Sequence, residues 1–361
     1  MKSIISGYQA TLILIFTLLA TSIVFLPSLI ISQANQDAWI SVILLVIIFL
    51  FISFIYQALC KKMGRKDLVN FTREVFGKIL TIPFALYIII SFIILSGVVV
   101  RETSEVMKTA YLPLTPLWFF NITLILVSSY VAFLGLEVIG RSLEVLFYIL
   151  LFFILIFFSL LISDLSFEFI KPIGAQGIDK IWNGIYPGII FFGEIFIILI
   201  LAPHLTQKGR VLKPLIFALL IAGSIFLITI LVILMLFGPE FSKDLTIPLI
   251  TAFSYVKKFR IIERVDPLFI FIWISSGIFK ISIFIYVSVY TLQKLLNFST
   301  YHIFIPLILP PLYYFSSHFF KNTAVIIDFL YQLIPYFVIL LILYPIILLI
   351  ISWIRGIDFS E

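Results

Sequence analysis

Cysteine is almost missing from this chain: Cys60 is the single one in 361 residues. That excludes an internal disulfide and leaves the redox compartment uninformative. Histidine is nearly as scarce. His204, His302 and His318 lie far apart, and no pair has metal-ligand spacing, so no metal site is expected. Charge is the third shortage. Only 12% of residues are Asp, Glu, Lys or Arg, against about 25% in an ordinary soluble domain. Nucleophile–base and metal constellations are lacking too, which argues against an enzyme and against a cofactor.

Oil fills the space that charge leaves. The chain is 63% hydrophobic, with a mean hydropathy of +1.24. A soluble fold could not bury this much apolar surface, so the solvent has to be lipid. A helix needs about 20 apolar residues to cross the hydrocarbon, and such runs recur here. They are long and continuous, which favours helices over a barrel of short alternating strands. The net charge of +6 falls in loops beside these runs. Orientation and lipid contact account for it better than nucleic-acid binding.

Marking the runs predicts an all-α, polytopic membrane protein with ten spans. They are 8–32, 38–60, 79–109, 117–136, 141–163, 184–204, 211–237, 267–296, 301–319 and 325–354, as one transmembrane domain over 1–361. The N-terminal stretch resembles a signal peptide, but its apolar run exceeds the usual 7–15 residues, and it reads as an uncleaved first span. With the N-terminus inside, Lys2, the basic run from Lys61 to Lys78, Arg141, Lys208, Arg210, Lys213, Lys294 and Arg355 face the cytoplasm. Lys108, Lys171, Lys180 and Lys321 face outward, with five more in the connection 238–266, which weakens the contrast.

Five spans is an odd number, so a repeated five-helix unit enters the membrane upside down. Residues 8–163 and 184–354 are expected to be two such units. The long connections 61–78 and 238–266 fall at equivalent places, and both look amphipathic. The first span of each half carries breakers: Thr21, Ser22 and Pro27 in "ATSIVFLP", and Pro187, Gly188, Gly193 and Glu194 in "YPGIIFFGE". Interrupted helices at matching places are a pointer to a transporter-type site. Each break alone is as well explained by a plain kink.

Two charges lie deep. At about 1.5 Å per residue, Lys280 falls roughly 20 Å into the eighth span and Glu194 roughly 15 Å into the sixth. Each costs about 2.5–3.5 kcal/mol at mid-membrane, so such groups pair or line a cavity. Lys280 is either a structural cation or a functional one: a fixed charge where a coupling sodium would sit, or a group that takes and gives a proton. Glu194 either pairs with a polar neighbour or meets a ligand amine. Ser276, one turn before Lys280, is a hydrogen-bonding candidate. Arg101, Glu102 and Glu105 are expected in an outer vestibule unless Arg101 snorkels to the surface. Glu144 and Asp328 read as first-turn acids stabilised by the helix dipole. The candidate ligand set is Thr21, Ser22, Ile23, Gly97, Arg101, Gly193, Glu194, Ser276 and Lys280.

Several stretches carry a resemblance: "QDAWIS" (36–41), "LPLTPLW" (112–118), "GLEVIGRSLEVL" (135–146), "FFGE" (191–194) and "IERVDPLFIFIW" (262–273). In this order they resemble the B subunits of spore germinant receptors, within the amino acid–polyamine–organocation transporter superfamily. The resemblance implies a five-plus-five inverted-repeat transporter fold with discontinuous first and sixth helices. It implies a small germinant, typically an amino acid, bound where helices 1, 3, 6 and 8 meet. It also implies a complex with a larger A subunit and a lipoprotein C subunit in the spore inner membrane. Lys280 at mid-depth departs from a sodium-coupled pattern. A proton-coupled amino acid transporter is the second reading, and an ion or water channel the third.

Overall fold

A computed structural model describes residues 4–207, 209–255 and 266–359. Lys2, Lys208, the basic residues Lys257, Lys258, Arg260 and Arg264, and the opening "IERV" at 262–265 lie outside the described residues.

The helices run in chain order as α1 (Gly7–Leu19), α2 (Ser22–Ala34), α3 (Ala38–Met63), α4 (Leu68–Phe76), α5 (Lys78–Val106), α6 (Leu117–Leu134), α7 (Leu136–Leu161), α8 (Ile178–Ile185), α9 (Gly188–Gly193), α10 (Ile197–Leu201), α11 (Leu212–Ser242), α12 (Pro248–Tyr255), α13 (Asp266–Leu296), α14 (Ile305–Tyr314), α15 (Thr323–Val338) and α16 (Tyr344–Ile354). This is an all-helical membrane protein of the transporter type, with discontinuous first and sixth spans. Among the described residues, seven helices are long and apolar enough to cross a membrane, or eight if the bent pair Ile178–Ile185 and Gly188–His204 is one span. The expected count of ten is therefore not reproduced as ten continuous helices, and the breaks explain why. Helix α1 has only 13 residues, and α2 joins α3 through a single 3-10 turn at Asn35–Asp37. Helix α14 has 10 residues, with Pro310 and Pro311 inside it, before a π turn at Phe315–Phe319.

Burial separates the centre from the lipid face. Every residue of α1 from Ala10 to Leu19 is buried, and so is every residue from Ile195 to Leu201. A helix that is apolar all round belongs inside a bundle. Around these lie α3, α11 and α13, with α13 packed along α5 and α6. The outer surface is apolar as well. Tyr148, Phe152 and Leu155 on α7 and Phe51 on α3 are each more than 60% exposed, as suits side chains that meet acyl tails. Trp118, Trp182 and Trp353 sit exposed near span ends.

Local chemistry sets the boundaries. Ser6 begins α1 with a capping box: its hydroxyl accepts from Gln9 N at 3.1 Å, and Gln9 Oε1 accepts from Ser6 N at 3.0 Å. Asp67 caps α4, and Leu68, Phe71 and Val75 bury one face of that helix, as an amphipathic connection should. Its expected counterpart is α12, within the other long connection. Gly238, at φ 73°, turns the chain where the seventh span was expected to end. The dipole reading of two acids needs correcting. Helix α7 begins at Leu136, after Gly135 (φ 93°), so Glu144 lies in its third turn. Asp328 lies in the second turn of α15.

The broken spans are held by close approach. A Cβ on Gly184 would stand 2.5 Å from Ser41 Oγ and 2.9 Å from Ala34 Cβ. Ser41 donates to the Ile181 carbonyl at 2.7 Å, which fixes α8 against α3. Gly184→Val therefore lowers stability by about 1–3 kcal/mol through overpacking. Thermal unfolding in detergent measures this, and an unchanged midpoint would show that the two backbones do not meet.

Candidate functional site

Two breaks face each other at the middle of the bundle. Between α1 and α2 the chain makes a turn at Ala20 and Thr21, and Thr21 O accepts from Val24 N (3.2 Å) and Phe25 N (3.3 Å). The Ser22 hydroxyl donates to the Leu18 carbonyl, one of the α1 carbonyls that the end of the helix leaves open. Pro27, an expected breaker, sits inside α2 without ending it. The other span bends by 47° at Tyr186–Pro187. It then tightens to a 3-10 turn at Glu194–Phe196. A 3-10 turn in mid-helix marks a strained or hinging place.

Lys280, from the middle of α13, reaches both breaks. Its Nζ lies 2.8 Å from Glu194 Oε2 and donates to Thr21 Oγ1 at 3.2 Å. Lys280 is 0% exposed, Thr21 1% and Glu194 3%, so all three are out of contact with lipid and water. The two charges thus form a close, buried ion pair. Two rings flank the ammonium, Phe284 at 5.5 Å and Phe191 at 5.7 Å from its nitrogen. A desolvated cation over aromatic faces gains up to about 2 kcal/mol. Phe92 closes this side, with its ring 5.2 Å from Phe284 and 6.4 Å from Phe196.

A second carboxylate lies close by. Glu102 on α5 is 2% exposed, its Oε2 has no described partner, and it is within electrostatic reach of Lys280, Glu194 and Glu105. Also on α5, the buried Ser104 hydroxyl lacks a described partner. Unsatisfied buried groups of this kind suit a ligand or water. Two buried carboxylates within electrostatic reach of one ammonium, with Glu102 Oε2 as a spare acceptor, make a polar cluster able to take a cationic group and to release Lys280 to an anionic one.

Of the nine expected site residues, the structure brings together Thr21, Glu194 and Lys280. Ser22 and Ile23 adjoin them in the chain. The others are engaged elsewhere. Ser276 Oγ donates to the Ile272 carbonyl at 2.7 Å. Arg101 pairs with Glu105 at 3.1 Å and donates to the Lys321 carbonyl. Gly193 lies against Leu341 and Gly97 against Phe315, at 2.0 Å and 2.6 Å from where a Cβ would be. Both glycines serve helix approach. Glu102 was expected in an outer vestibule beside Arg101 and instead is buried within electrostatic reach of the pair. The helical phase could have shown it: Arg101 and Glu105 share a face at i, i+4, and one residue later points about 100° away.

The known proteins most usefully compared with this chain agree with this architecture. A family model described as "Spore germination protein" matches residues 4–325. Spore germination protein KB of Bacillus subtilis (strain 168) is 26% identical over 292 residues, covering 80% of this chain and 78% of that protein. Spore germination protein XB of Bacillus anthracis is 25% identical over 343 residues, covering 91% and 96%. Among solved structures, the nucleobase-cation-symport-1 family transporter Mhp1, closed with bromovinylhydantoin bound, superposes with a TM-score of 0.73 at 13% identity. That match covers 96% of this chain and 78% of Mhp1. MhsT in complex with L-phenylalanine gives 0.67 at 12% identity, covering 96% and 89%. At such identities the structural likeness shows the fold alone.

Removing one partner of a buried ion pair strands the other, at about 3–5 kcal/mol. Lys280→Met therefore destabilises the protein strongly, and adding Glu194→Gln restores part of the loss. A double-mutant cycle on thermal unfolding in detergent reads the coupling. Additive effects of the two substitutions would show that the charges do not depend on each other.

Proposed function

Because the chain belongs to the spore germination protein family, we propose that it is the germinant-sensing subunit of a spore germination receptor. The observation that carries this reading is the contact of Lys280 with both Glu194 and Thr21, where the two helix breaks meet. The ligand class that fits is a small zwitterion, an amino acid above all. Its carboxylate takes Lys280 and the N–H groups at the start of α2, which the helix dipole favours. Its ammonium takes Glu194, with Glu102 as a second acceptor. The zwitterion thus replaces the internal ion pair with two external ones, one at each end.

Such an exchange has a mechanical consequence. With the pair closed, Lys280 ties α13 to both broken spans. With ligand inserted, Glu194 and Thr21 are freed from Lys280, and the broken spans rearrange against α13. A ligand shifts such an equilibrium only by its differential affinity for the two arrangements. In a receptor the shift passes to partners: a larger A subunit and a lipoprotein C subunit, in the spore inner membrane with this chain's N-terminus cytoplasmic. The units 8–163 and 184–354 are the two upside-down halves whose interface carries the site.

A second reading, a proton-coupled amino acid transporter, is favoured by the fold shared with Mhp1 and with MhsT, the latter solved with L-phenylalanine. Proteoliposome uptake separates the two. Accumulation of labelled amino acid against a gradient supports transport, whereas binding without uptake supports a receptor.

A thermal-shift screen of amino acids and nucleosides on the purified protein identifies the ligand class, and a raised midpoint with an amino acid is expected. Glu102→Gln keeps the Lys280–Glu194 pair and weakens that binding by about 10-fold, the worth of one charge-assisted contact. Unchanged affinity would remove Glu102 from the site. Lys280→Met abolishes the response to ligand while the protein stays in the membrane.

A further inference from the structure

A cavity of about 900 Å³ lies away from the ion pair, at the N-terminal end of α1. Its walls are α1, α7 and α11, and Leu205, Thr206, Gln207 and Arg210 line its mouth between α10 and α11. Leu12 and Ile15 line it from α1, Phe147 from α7, and Phe217 and Ile221 from α11. Phe217 is 55% exposed, so the cavity opens sideways onto the surface that meets acyl tails. From Gly7 to Ile15 the α1 wall is about 12 Å deep, close to the half-thickness of about 15 Å that one leaflet provides.

The mouth has the opposite character. Arg210 and Lys213 both line it and both are exposed. Among the described residues neither side chain has an acidic or hydrogen-bonding partner. Gln57, also in the lining, is spent on the local backbone: its Oε1 accepts from Val211 N (2.9 Å) and Leu212 N (2.8 Å), and its Nε2 donates to the Gly209 carbonyl (2.7 Å). These bonds fix the backbone at Gly209 and at the start of α11, on either side of Arg210 and next to Lys213. One occupant matches both ends. An acyl chain of one leaflet suits the apolar depth, and a phosphate complements the charge of two unpaired cations.

The geometry points to a binding site for an anionic phospholipid, its acyl chain between α1, α7 and α11 and its headgroup phosphate on Arg210 and Lys213. The site adjoins a joint of the fold. Ile5 pairs with the end of the bent span, through Ile5 N to His204 O (2.9 Å) and Thr206 N to Ile5 O (3.0 Å). A lipid seated beside this joint braces the N-terminal part of α1, the helix whose other end leads into the break at Thr21 that meets Lys280. This inference stands independently of what binds at the ion pair.

The full-length protein, purified in detergent, is titrated with dioleoyl phosphatidylglycerol and dioleoyl phosphatidylcholine, and lipid occupancy is read by native mass spectrometry. Inorganic phosphate serves as competitor. Two basic residues near a membrane surface favour the anionic lipid by about 30-fold. Arg210→Gln with Lys213→Gln, both on the surface, removes that preference. Phe217→Ala weakens both lipids and keeps the preference. Equal binding of the two lipids, or a preference that survives loss of both cations, overturns the proposal. So does displacement of the lipid by phosphate at comparable concentration, which would mark a site for a free anion.

Discussion

A buried ammonium dictates much of this architecture. Lys280 stands in the middle of an apolar helix in a protein whose solvent is lipid, where an unpaired charge is not tolerated. Its needs are met by a carboxylate from the 3-10 turn of one broken span, a hydroxyl from the break in the other, and two aromatic faces. These partners come from segments that are themselves costly in lipid, because an interrupted helix exposes backbone polar groups. Breaks and charge thus answer one another. The interrupted spans lie at the centre of the bundle because only there can both be satisfied without meeting acyl tails.

The same arrangement makes the centre switchable. A core of well-packed apolar side chains would be as stable or more so, since a buried ion pair is weak evidence for stability. On the proposed reading, what the pair adds is specificity for a second charged species. A zwitterion carries both charges needed to replace it, and Glu102 supplies an acceptor that the closed form leaves unused. On this account the resting protein holds an internal imitation of its ligand, and binding is an exchange of partners across two helix breaks.

Much of this was legible in the amino-acid sequence, and the physical reasons are plain. Class and span positions follow from apolar run length, a signal that lipid makes strong. The breaks at Thr21 and at Pro187, and the depth of Lys280 and Glu194, follow from helical rise and from residue types. The exact partnering did not follow, because it depends on how α13 is rotated against the broken spans. Two glycines misled for the same reason. Gly97 and Gly193 stood in the candidate ligand set, but a neighbouring side chain closes over each, Phe315 and Leu341. Glu102 was placed with Arg101 by proximity in sequence, although one step along a helix turns the side chain to another face. The ten expected spans are not matched one for one by single long helices, because several are built from short or joined pieces such as α1, α2 and α14.

The central claim is that ligand and Glu194 compete for Lys280. Solid-state NMR on protein in lipid, labelled with 15N at lysine side chains and 13C at glutamate carboxyls, measures that contact directly through the dipolar coupling between Lys280 Nζ and Glu194 Cδ. The account predicts a strong coupling without amino acid and its loss at saturating amino acid. A coupling that persists unchanged in the ligand-bound protein would contradict it.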